Sequence, residues 1–448
     1  MAKYSIMKRY YPTDEIIVAL DIGTTKIVAL AGVLNDMGRV EVLGYGKVQS
    51  EGVMRGVVAN IDKTAMAIAD AIDMAEKRAN HEFRKVYVGI AGQHIKSIHH
   101  RGVKVRDNME EEISRDEIRR MVEDMYKLAL PPGEKILHVV PQEFTIDDEE
   151  GIVDPVGMCG SKIEGNFHVI TGKISAANNI MRCLKKAGLE LEEMVLEPIG
   201  SATAVLSEKE VEAGVVMVDI GGGTTDLTIF YDGIIRHTAV IPFGGNVITR
   251  DIAQGCNVIF DQAEKLKVKF GRALAENVKD NRIIIIPGIK GRQSREISEK
   301  NLALIIQARM EEIFELVAWE IKRSGYEGKL IGGMVLTGGG ALLQDIELLA
   351  NLETGLMARI GRPNEYLSSP QNEELASPIF STGIGILRYA LLRRREERQY
   401  SESSMPAFEN ATVHTEGEGH SQKPLSGWLN KSMEWMKKFF EASHDSDL

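Results

Sequence analysis

The sequence predicts an α/β protein of two related lobes, with a small α+β module inserted in the first lobe and an amphipathic helix near the C-terminal end. Three observations carry that expectation. The stretch "VALDIGTTKIVAL" (18–30) returns as "VMVDIGGGTTDLTIF" (216–230): an acid ending an apolar strand, a turn of glycines and threonines, then a second apolar strand. Strand-like and helix-like runs alternate between and after the copies. The pattern changes character from 93 to 173, and turns polar after 400.

The first lobe opens at 14–92. Apolar "IIVAL", the glycine turn, "KIVALAGVL", a polar "NDMG" turn and "RVEVLGYGKV" read as a meander of strands. In "IDKTAMAIADAIDMAEKRAN", Ala65, Ile68, Ala69, Ile72 and Ala75 recur at helical spacing, and strand "KVYVGIAG" follows. The module at 93–173 has a strand near "HIKSIHHRGVKV", a helix in "SRDEIRRMVEDMYKLAL" whose Ser114 and Glu117 have capping-box spacing, and strands "EKILHVVPQEFTID" and "FHVITGKIS". Such a length is enough for a small unit of its own.

Helices follow around "NNIMRCLKKAG" and "PIGSATAVL", completing the first lobe at 174–207. The second hairpin opens the second lobe, 208–250. Helices are expected over 246–279 and 299–324, with a short strand "RIIIIPG" between them, in a unit spanning 251–330. "GGMVLTGGGALLQDIELLANLE" is a strand, a tight turn and a helix within 331–377, and "FSTGIGILRYALLRRREERQ" is the last core helix, 378–399. Residues 400–424 read as a disordered linker.

Composition excludes several roles. At 448 residues the chain exceeds what one core organises. Acids outnumber bases 65 to 54, a net charge of −11, the wrong sign for a phosphate-backbone binder, so nucleic acid is not expected as a partner. The three cysteines, Cys159, Cys183 and Cys256, have no CxxC spacing, which fits a reducing cytoplasm. "MAKYSIMKRYYPTDE" lacks the apolar core of a signal peptide, and no run approaches the roughly 18 apolar residues of a span. Contact with a membrane is expected from one side.

The chemistry lies in the glycine turns. Glycine lets backbone amides approach an anion that a Cβ would hold away. Gly23, Thr24 and Thr25 offer amides and hydroxyls to phosphate oxygens, and Lys26 adds a charge. Gly221, Gly222, Gly223, Thr224 and Thr225 form a second cradle without a lysine. Asp21, Asp219 and Asp226 are placed to hold Mg²⁺ directly or through water. A lone turn of this kind is also an ordinary hairpin, but two copies flanked by matching strands point to two lobes gripping one phosphate chain. Gly338, Gly339 and Gly340 make a third close-approach turn, suited to a flat base or an α-phosphate; a plain strand-to-helix turn is the alternative. No GxxxxGK[ST] is present, and the GxGxxG spacing is missing.

In this order and spacing the turns resemble the phosphate-1, phosphate-2 and adenosine motifs of the actin, Hsp70 and sugar-kinase ATPase fold, over roughly 16–395. The resemblance implies an actin-like (ribonuclease H-like) two-lobed fold binding ATP with Mg²⁺, and crossings between lobes at "LEPIGSATAVL" and "PIFSTGIGILRYALL". It implies a water-orienting role for Glu197, beside Asp219, although Glu197 could equally cap the helix after it. It makes Glu264 and Lys267 of "DQAEKLKVKFG" candidates for ribose and base contacts, against a solvated charge pair.

"GIAGQHIKS", "EFTID", "VITGK", "LEPIGSA", "IPFGGNVITRDIA", "AEKLKVKFG" and "STGIGIL" narrow the resemblance to the bacterial cell-division family FtsA, and add Gly245 to the nucleotide contacts. In family terms 14–92 and 174–207 correspond to subdomain 1A, 93–173 to 1C, 208–250 and 331–377 to 2A, and 251–330 to 2B. The resemblance implies self-polymerisation, contacts of 1C with other division proteins, and a site on the second lobe for the C-terminal peptide of the tubulin-like FtsZ. Within "LIIQARMEEIFELV" it points to Arg309, with Glu312 second; each also reads as an exposed helical charge.

The tail "PLSGWLNKSMEWMKKFFEAS" fits a helix over 425–441. Trp428, Leu429, Met433, Trp435, Met436, Phe439 and Phe440, with Leu425, fall within an arc of roughly 160°, broken only by Ser432. Its net charge is +1 (three Lys, two Glu), so insertion into lipid would be mainly apolar. Docking on the protein's own body or a partner is the competing reading. The expectation is a peripheral protein on the cytoplasmic face of the inner membrane at the division site, a slow ATPase at most and mainly an adaptor. A small-molecule kinase of the same fold is the alternative. An Hsp70-like chaperone would need a β-rich domain after about 390, where only linker and tail stand.

Overall fold

The structure, a computed structural model, describes residues 15–288, 293–368 and 373–403. The first lobe begins with β1 (Ile17–Ile22), β2 (Lys26–Leu34) and β3 (Val40–Gln49), a ribbon of β4 (Val53–Met54) and β5 (Val57–Val58), then α1 (Ile61–Ala79) and β6 (Lys85–Ile90). β1 and nearly all of β2 are buried on both faces, which is why they read as unbroken apolar runs. Asn60 starts α1 by accepting the Lys63 N–H at 3.0 Å, and Asn80, at φ 54°, stops it. Glycine at 46 lets α1 lie on the β3 backbone, since a Cβ there would sit 1.9 Å from the Ala71 carbonyl oxygen.

The insertion comprises β7 (Lys96–Val105), α2 (Arg115–Tyr126), β8 (Glu134–Ile146), β9 (Glu149–Ile152) and β10 (Lys162–Lys173). Its strands form a sheet of their own, ordered β7-β10-β8-β9, with a core of Phe144, Phe167, Met121 and Val122. The capping box exists: Ser114 Oγ accepts from the Glu117 N–H at 3.2 Å, and Glu117 Oε2 accepts from the Ser114 N–H at 3.0 Å. The chain then returns through α3 (Ile174–Lys186), β11 (Glu190–Leu196) and α4 (Glu197–Val205). Strand β11, "ELEEMVL", was not expected. Its acids break any apolar pattern, and only its parallel pairing with β6 makes it a strand.

The second lobe contains α5 (Glu208–Ala213), β12 (Val215–Ile220), β13 (Thr225–Tyr231), β14 (Ile234–Ile241), α6 (Gly245–Gly255), α7 (Phe260–Phe270), the ribbon β15 (Ile283–Ile286) and β16 (Arg295–Ser298), α8 (Glu299–Ser324), β17 (Met334–Thr337), α9 (Ile346–Thr354) and β18 (Ala358–Ile360). Its sheet, β14-β13-β12-β17-β18, repeats the first lobe's β3-β2-β1-β6-β11. In both, three antiparallel strands are followed by two parallel ones. The edge strand β14 is covered by the insertion: Gln142 Nε2 donates to the Ile235 carbonyl at 2.9 Å, and Arg236 Nη1 to that of Gln142 at 3.4 Å.

From the second lobe the chain comes back as α10 (Ser381–Ser403), which packs on β1 and β2 and crosses α4. The crossing is backbone against backbone at Gly200 and Gly385, where a Cβ on Gly385 would lie 1.7 Å from the Gly200 carbonyl oxygen. Helices this close have no room for a methyl group. Gly385→Ala is therefore expected to destabilise the protein by about 1–3 kcal/mol, despite a helix-propensity gain of roughly 1 kcal/mol. Urea unfolding midpoints check it; an unchanged midpoint would mean that α4 and α10 part freely.

Candidate functional site

The two glycine hairpins touch. A Cβ on Gly222 would lie 2.2 Å from Thr25 Cγ2, and one on Gly223 would lie 2.5 Å from Thr24 Oγ1. The second hairpin thus needs glycine to meet the first, quite apart from any ligand. Beside this contact a cavity of about 380 Å³ is lined by Asp21, Gly23, Thr24, Thr25 and Lys26 from the first lobe and by Asp219, Gly221, Gly222, Gly223, Thr224, Asp226 and Gly245 from the second. Glu197 enters from α4, Glu264 and Lys267 from α7, and Gly338, Gly339 and Gly340 from the turn after β17.

Two details differ from the sequence expectation. Thr225 does not reach the cavity: it is fully buried and its hydroxyl donates to the Phe243 carbonyl at 2.9 Å. Side chains alternate along a strand, so with Thr224 and Asp226 facing the cleft Thr225 must turn away. Gly221 does line the cavity, but its N–H donates to the Thr224 carbonyl at 2.9 Å, closing the hairpin rather than facing a ligand. The carbonyls of Gly221 and Gly222 in turn accept the Gly245 and Asn246 N–H groups at 2.9 and 2.8 Å, which seats the start of α6 on the turn.

Asp219 and Asp226 stand opposite each other in the β12–β13 register, and Asp21 occupies in β1 the place that Asp219 has in β12. Burial pushes the Glu197 carboxyl well above the usual range, and the charges of Asp21, Asp226 and Asp219 add to the push. Asp226 is raised by burial and then by Asp219. Asp21 is raised by burial, with Lys26 pulling the other way. Four carboxyls sharing one cavity are a donor set that a hard cation would relieve. Among the described residues, however, no group of three or more His, Cys, Asp or Glu is arranged to hold a metal directly. Of the two ways expected for Asp21, Asp219 and Asp226, holding an ion through water needs no such group.

The structure adds residues that sequence reasoning missed. Ser201 Oγ donates to Asp219 Oδ2 at 2.6 Å, and Thr382 Oγ1 to the same oxygen at 3.1 Å. Gly338, at φ 82°, leaves room for Asp219: a Cβ would lie 2.2 Å from its Oδ1. Lys47 of β3 and the apolar Val268, Leu342 and Leu343 also line the cavity. "STGIGIL" contained Thr382, but nothing local marks it as facing Asp219. Lys267 is held at 2.7 Å from Glu264 and donates to the Gly245 carbonyl at 2.9 Å, with only 12% of its side chain exposed. The lysine end of the pair is built into the cavity wall, while the Glu264 side chain stays 40% exposed.

Arg309 lies outside the cavity on α8. Its Nε donates to Asp251 Oδ2 at 2.5 Å, and Nη1 pairs with Glu312. An acidic peptide would have to compete with both carboxylates. Trp428, Leu429, Met433, Trp435, Met436, Phe439 and Phe440 lie outside the described residues, as does most of the linker at 400–424. No described helix is long and apolar enough to cross a membrane.

Repeated sheets, opposed hairpins and paired crossing helices define the actin-like fold. Among solved structures, the PilM-PilN type IV pilus biogenesis complex matches with a TM-score of 0.60 at 16% identity, over 85% of this chain and 99% of that one. MreB5 of Spiroplasma citri bound to ADP matches with a TM-score of 0.53 at 16% identity, over 87% and 99%. The chain belongs to the FtsA family of cell division proteins. It is 40% identical to cell division protein FtsA of Pseudomonas aeruginosa over 87% of this chain and 93% of the relative. It is 32% identical to that of Escherichia coli K12 over 93% and 98%. A family profile described as "Cell division protein FtsA" matches residues 216–385, and one described as "SHS2 domain inserted in FTSA" matches 92–171. The small-molecule kinase alternative is not favoured.

Glu197→Gln is expected to raise the thermal midpoint by about 2–4 °C at pH 8, where burial opposes the charge that the carboxylate carries freely in the unfolded chain. Because its pKa is raised in the folded state, that cost fades as pH falls and Glu197 takes up its proton. The difference should therefore close toward the ordinary carboxylate range. Equal midpoints at pH 8, by calorimetry, would contradict the electrostatic account.

Proposed function

We propose that this chain is an ATP-binding, polymerising adaptor that ties the FtsZ ring to the cytoplasmic face of the inner membrane at the division site and recruits later division proteins through its inserted module. The single observation that carries the reading is the meeting of two related glycine hairpins beside one cavity, in a chain of a cell-division family. Backbone amides of the turns at Gly23 and Gly222–Gly223 would face the phosphates of ATP, with Lys26 supplying charge. Glu264 and Lys267 would face the ribose, and Gly338–Gly340 with Leu342 and Leu343 the base. Bound Mg²⁺ would neutralise phosphate charge, with Asp21, Asp219 and Asp226 oriented toward its water shell. Glu197, placed among these acids, would orient an attacking water, so slow hydrolysis is compatible with the site.

The four carboxyls also explain why metal and nucleotide should arrive together. An unaccompanied polyphosphate would bring more negative charge into a cavity where carboxyls already crowd one another, whereas a metal complex is compensated. Polymerisation in the nucleotide-bound state would align many tails at 425–441. Each large apolar side chain contributes about 1.5–3 kcal/mol if fully buried, less when half immersed, and helix ordering offsets part of that. One tail is thus reversible, and a filament of tails is held by avidity. For FtsZ, the face of α8 around Arg309 and Glu312 is the proposed landing site, with the acidic peptide exchanging for Asp251 at the guanidinium.

The deciding experiment is electron microscopy of the purified protein on lipid monolayers with and without ATP and Mg²⁺; filaments should form only with both, and their absence would refute the adaptor reading. Lys26→Ala is expected to weaken ATP binding about tenfold or more in a fluorescent-nucleotide titration, the effect of one lost charge-assisted contact. Deleting residues 425–448 should abolish co-sedimentation with vesicles while leaving that nucleotide titration as it was. Retained co-sedimentation would assign the tail to a protein surface instead.

A further inference from the structure

Asp219 is held by both helices that connect the lobes. Ser201 lies in the middle of α4 and is fully buried; Thr382 lies in the first turn of α10. Both hydroxyls reach the same carboxylate oxygen, at 2.6 and 3.1 Å, and lie 3.1 Å from each other. On the other side Asp219 Oδ1 abuts Gly338, where a Cβ would lie only 2.2 Å away. The carboxylate therefore has little freedom to rotate in place. A change in its position must be felt by the two hydroxyls, and through them by α4 and α10.

We infer that Ser201 and Thr382 are positioning residues that transmit occupancy of the inter-lobe cavity to the two crossing helices, by exchanging the Ser201 hydrogen bond with Asp219 for one with Thr382. This rests on the nucleotide reading above. Each hydroxyl has one proton. With Asp219 as acceptor, Ser201 and Thr382 each donate to it and are linked through the carboxylate; elsewhere α4 and α10 meet at Gly200 and Gly385, and Arg388 Nη1 donates to the Thr203 carbonyl at 2.7 Å. When Asp219 turns toward the water shell of a bound cation, one hydroxyl loses its acceptor. The 3.1 Å separation lets Ser201 donate to Thr382 instead, so the two hydroxyls become joined directly while Thr382 goes on donating to Asp219. Fully buried Ser201 keeps an acceptor in either arrangement, which disfavours an intermediate that leaves its hydroxyl unpaired.

The position of the pair gives the exchange leverage. Gly200, next to Ser201, is where the α4 backbone touches α10 at Gly385, three residues beyond Thr382. The same contact holds the helices together and would serve as the point about which they adjust. Ser381, beside Thr382, receives a hydrogen bond from Thr337 Oγ1 at 2.7 Å, linking α10 to the end of β17 in the second lobe. A shift at Thr382 is thus communicated to the strand that leads into the Gly338 turn.

The test uses the full chain with a fluorescent ATP analogue, titrated with Mg²⁺ and with EDTA, and hydrogen exchange of the α4 and α10 amides with and without Mg²⁺-nucleotide. In the unsubstituted protein, Mg²⁺-nucleotide should change exchange at 197–205 and 381–392 as well as at the glycine turns. Thr382→Val and Ser201→Ala should each reduce the ratio of affinities with and without Mg²⁺ about tenfold, as expected for losing a hydrogen bond to a charged group. They should also remove the exchange response of α10. Thr382→Ser, which restores the hydroxyl but not the methyl group, should recover both. If the glycine turns respond to Mg²⁺-nucleotide but the variants keep the native ratio and the α10 response, the inference is overturned and the nucleotide reading stands. Failure of Thr382→Ser to recover them also overturns it, since packing would then be the cause. No response at the glycine turns in the unsubstituted protein overturns both.

Discussion

Everything in this molecule is arranged around the contact of Thr24 and Thr25 with Gly222 and Gly223. Two hairpins from separate sheets approach so closely that the space a Cβ would fill on one is occupied by threonine side chains of the other. That approach sets the width of the cleft and brings Asp21 and Asp219, equivalent positions of the repeated sheets, to one cavity. A bulkier residue at 222 or 223 would have to push the lobes apart before it disturbed any ligand. The glycines therefore serve geometry first, and their exposed amides become useful because the geometry holds.

The second consequence is electrostatic. Bringing the lobes together concentrates Asp21, Asp219, Asp226 and Glu197 in one partly dry space, where burial and mutual repulsion favour protonation of Asp21, Asp226 and Glu197. Such a cluster destabilises the empty protein and is relieved by positive charge, the usual exchange of stability for a poised site. Lys26 supplies some of that charge from the first lobe, while Lys47 is paired with Glu374 and Lys267 with Glu264.

The inserted module stands apart from this economy of contacts. It has its own core around Phe144 and Phe167, yet it also covers the edge strand β14 of the second lobe through Gln142 and Arg236. One small domain therefore touches both lobes, attached to the first by chain and to the second by side-chain hydrogen bonds.

Much of this was readable in the chain. Repeated hairpins, apolar strands buried on both faces, the capping box at Ser114 and the break in pattern at 93 each follow from short-range residue order, because strand burial, turn chemistry and helix caps are local physics. What tertiary structure decided was everything that depends on a neighbour distant in sequence. β11 became a strand only by pairing with β6; Thr225 was turned out of the cavity by strand alternation against β14; Arg309 was claimed by Asp251. Ser201 and Thr382, 181 residues apart, acquired a shared role only when two helices converged on one carboxylate oxygen. Local sequence determines which groups are available for hydrogen bonding and charge, but the distances that make them partners come from packing, and no periodicity encodes them.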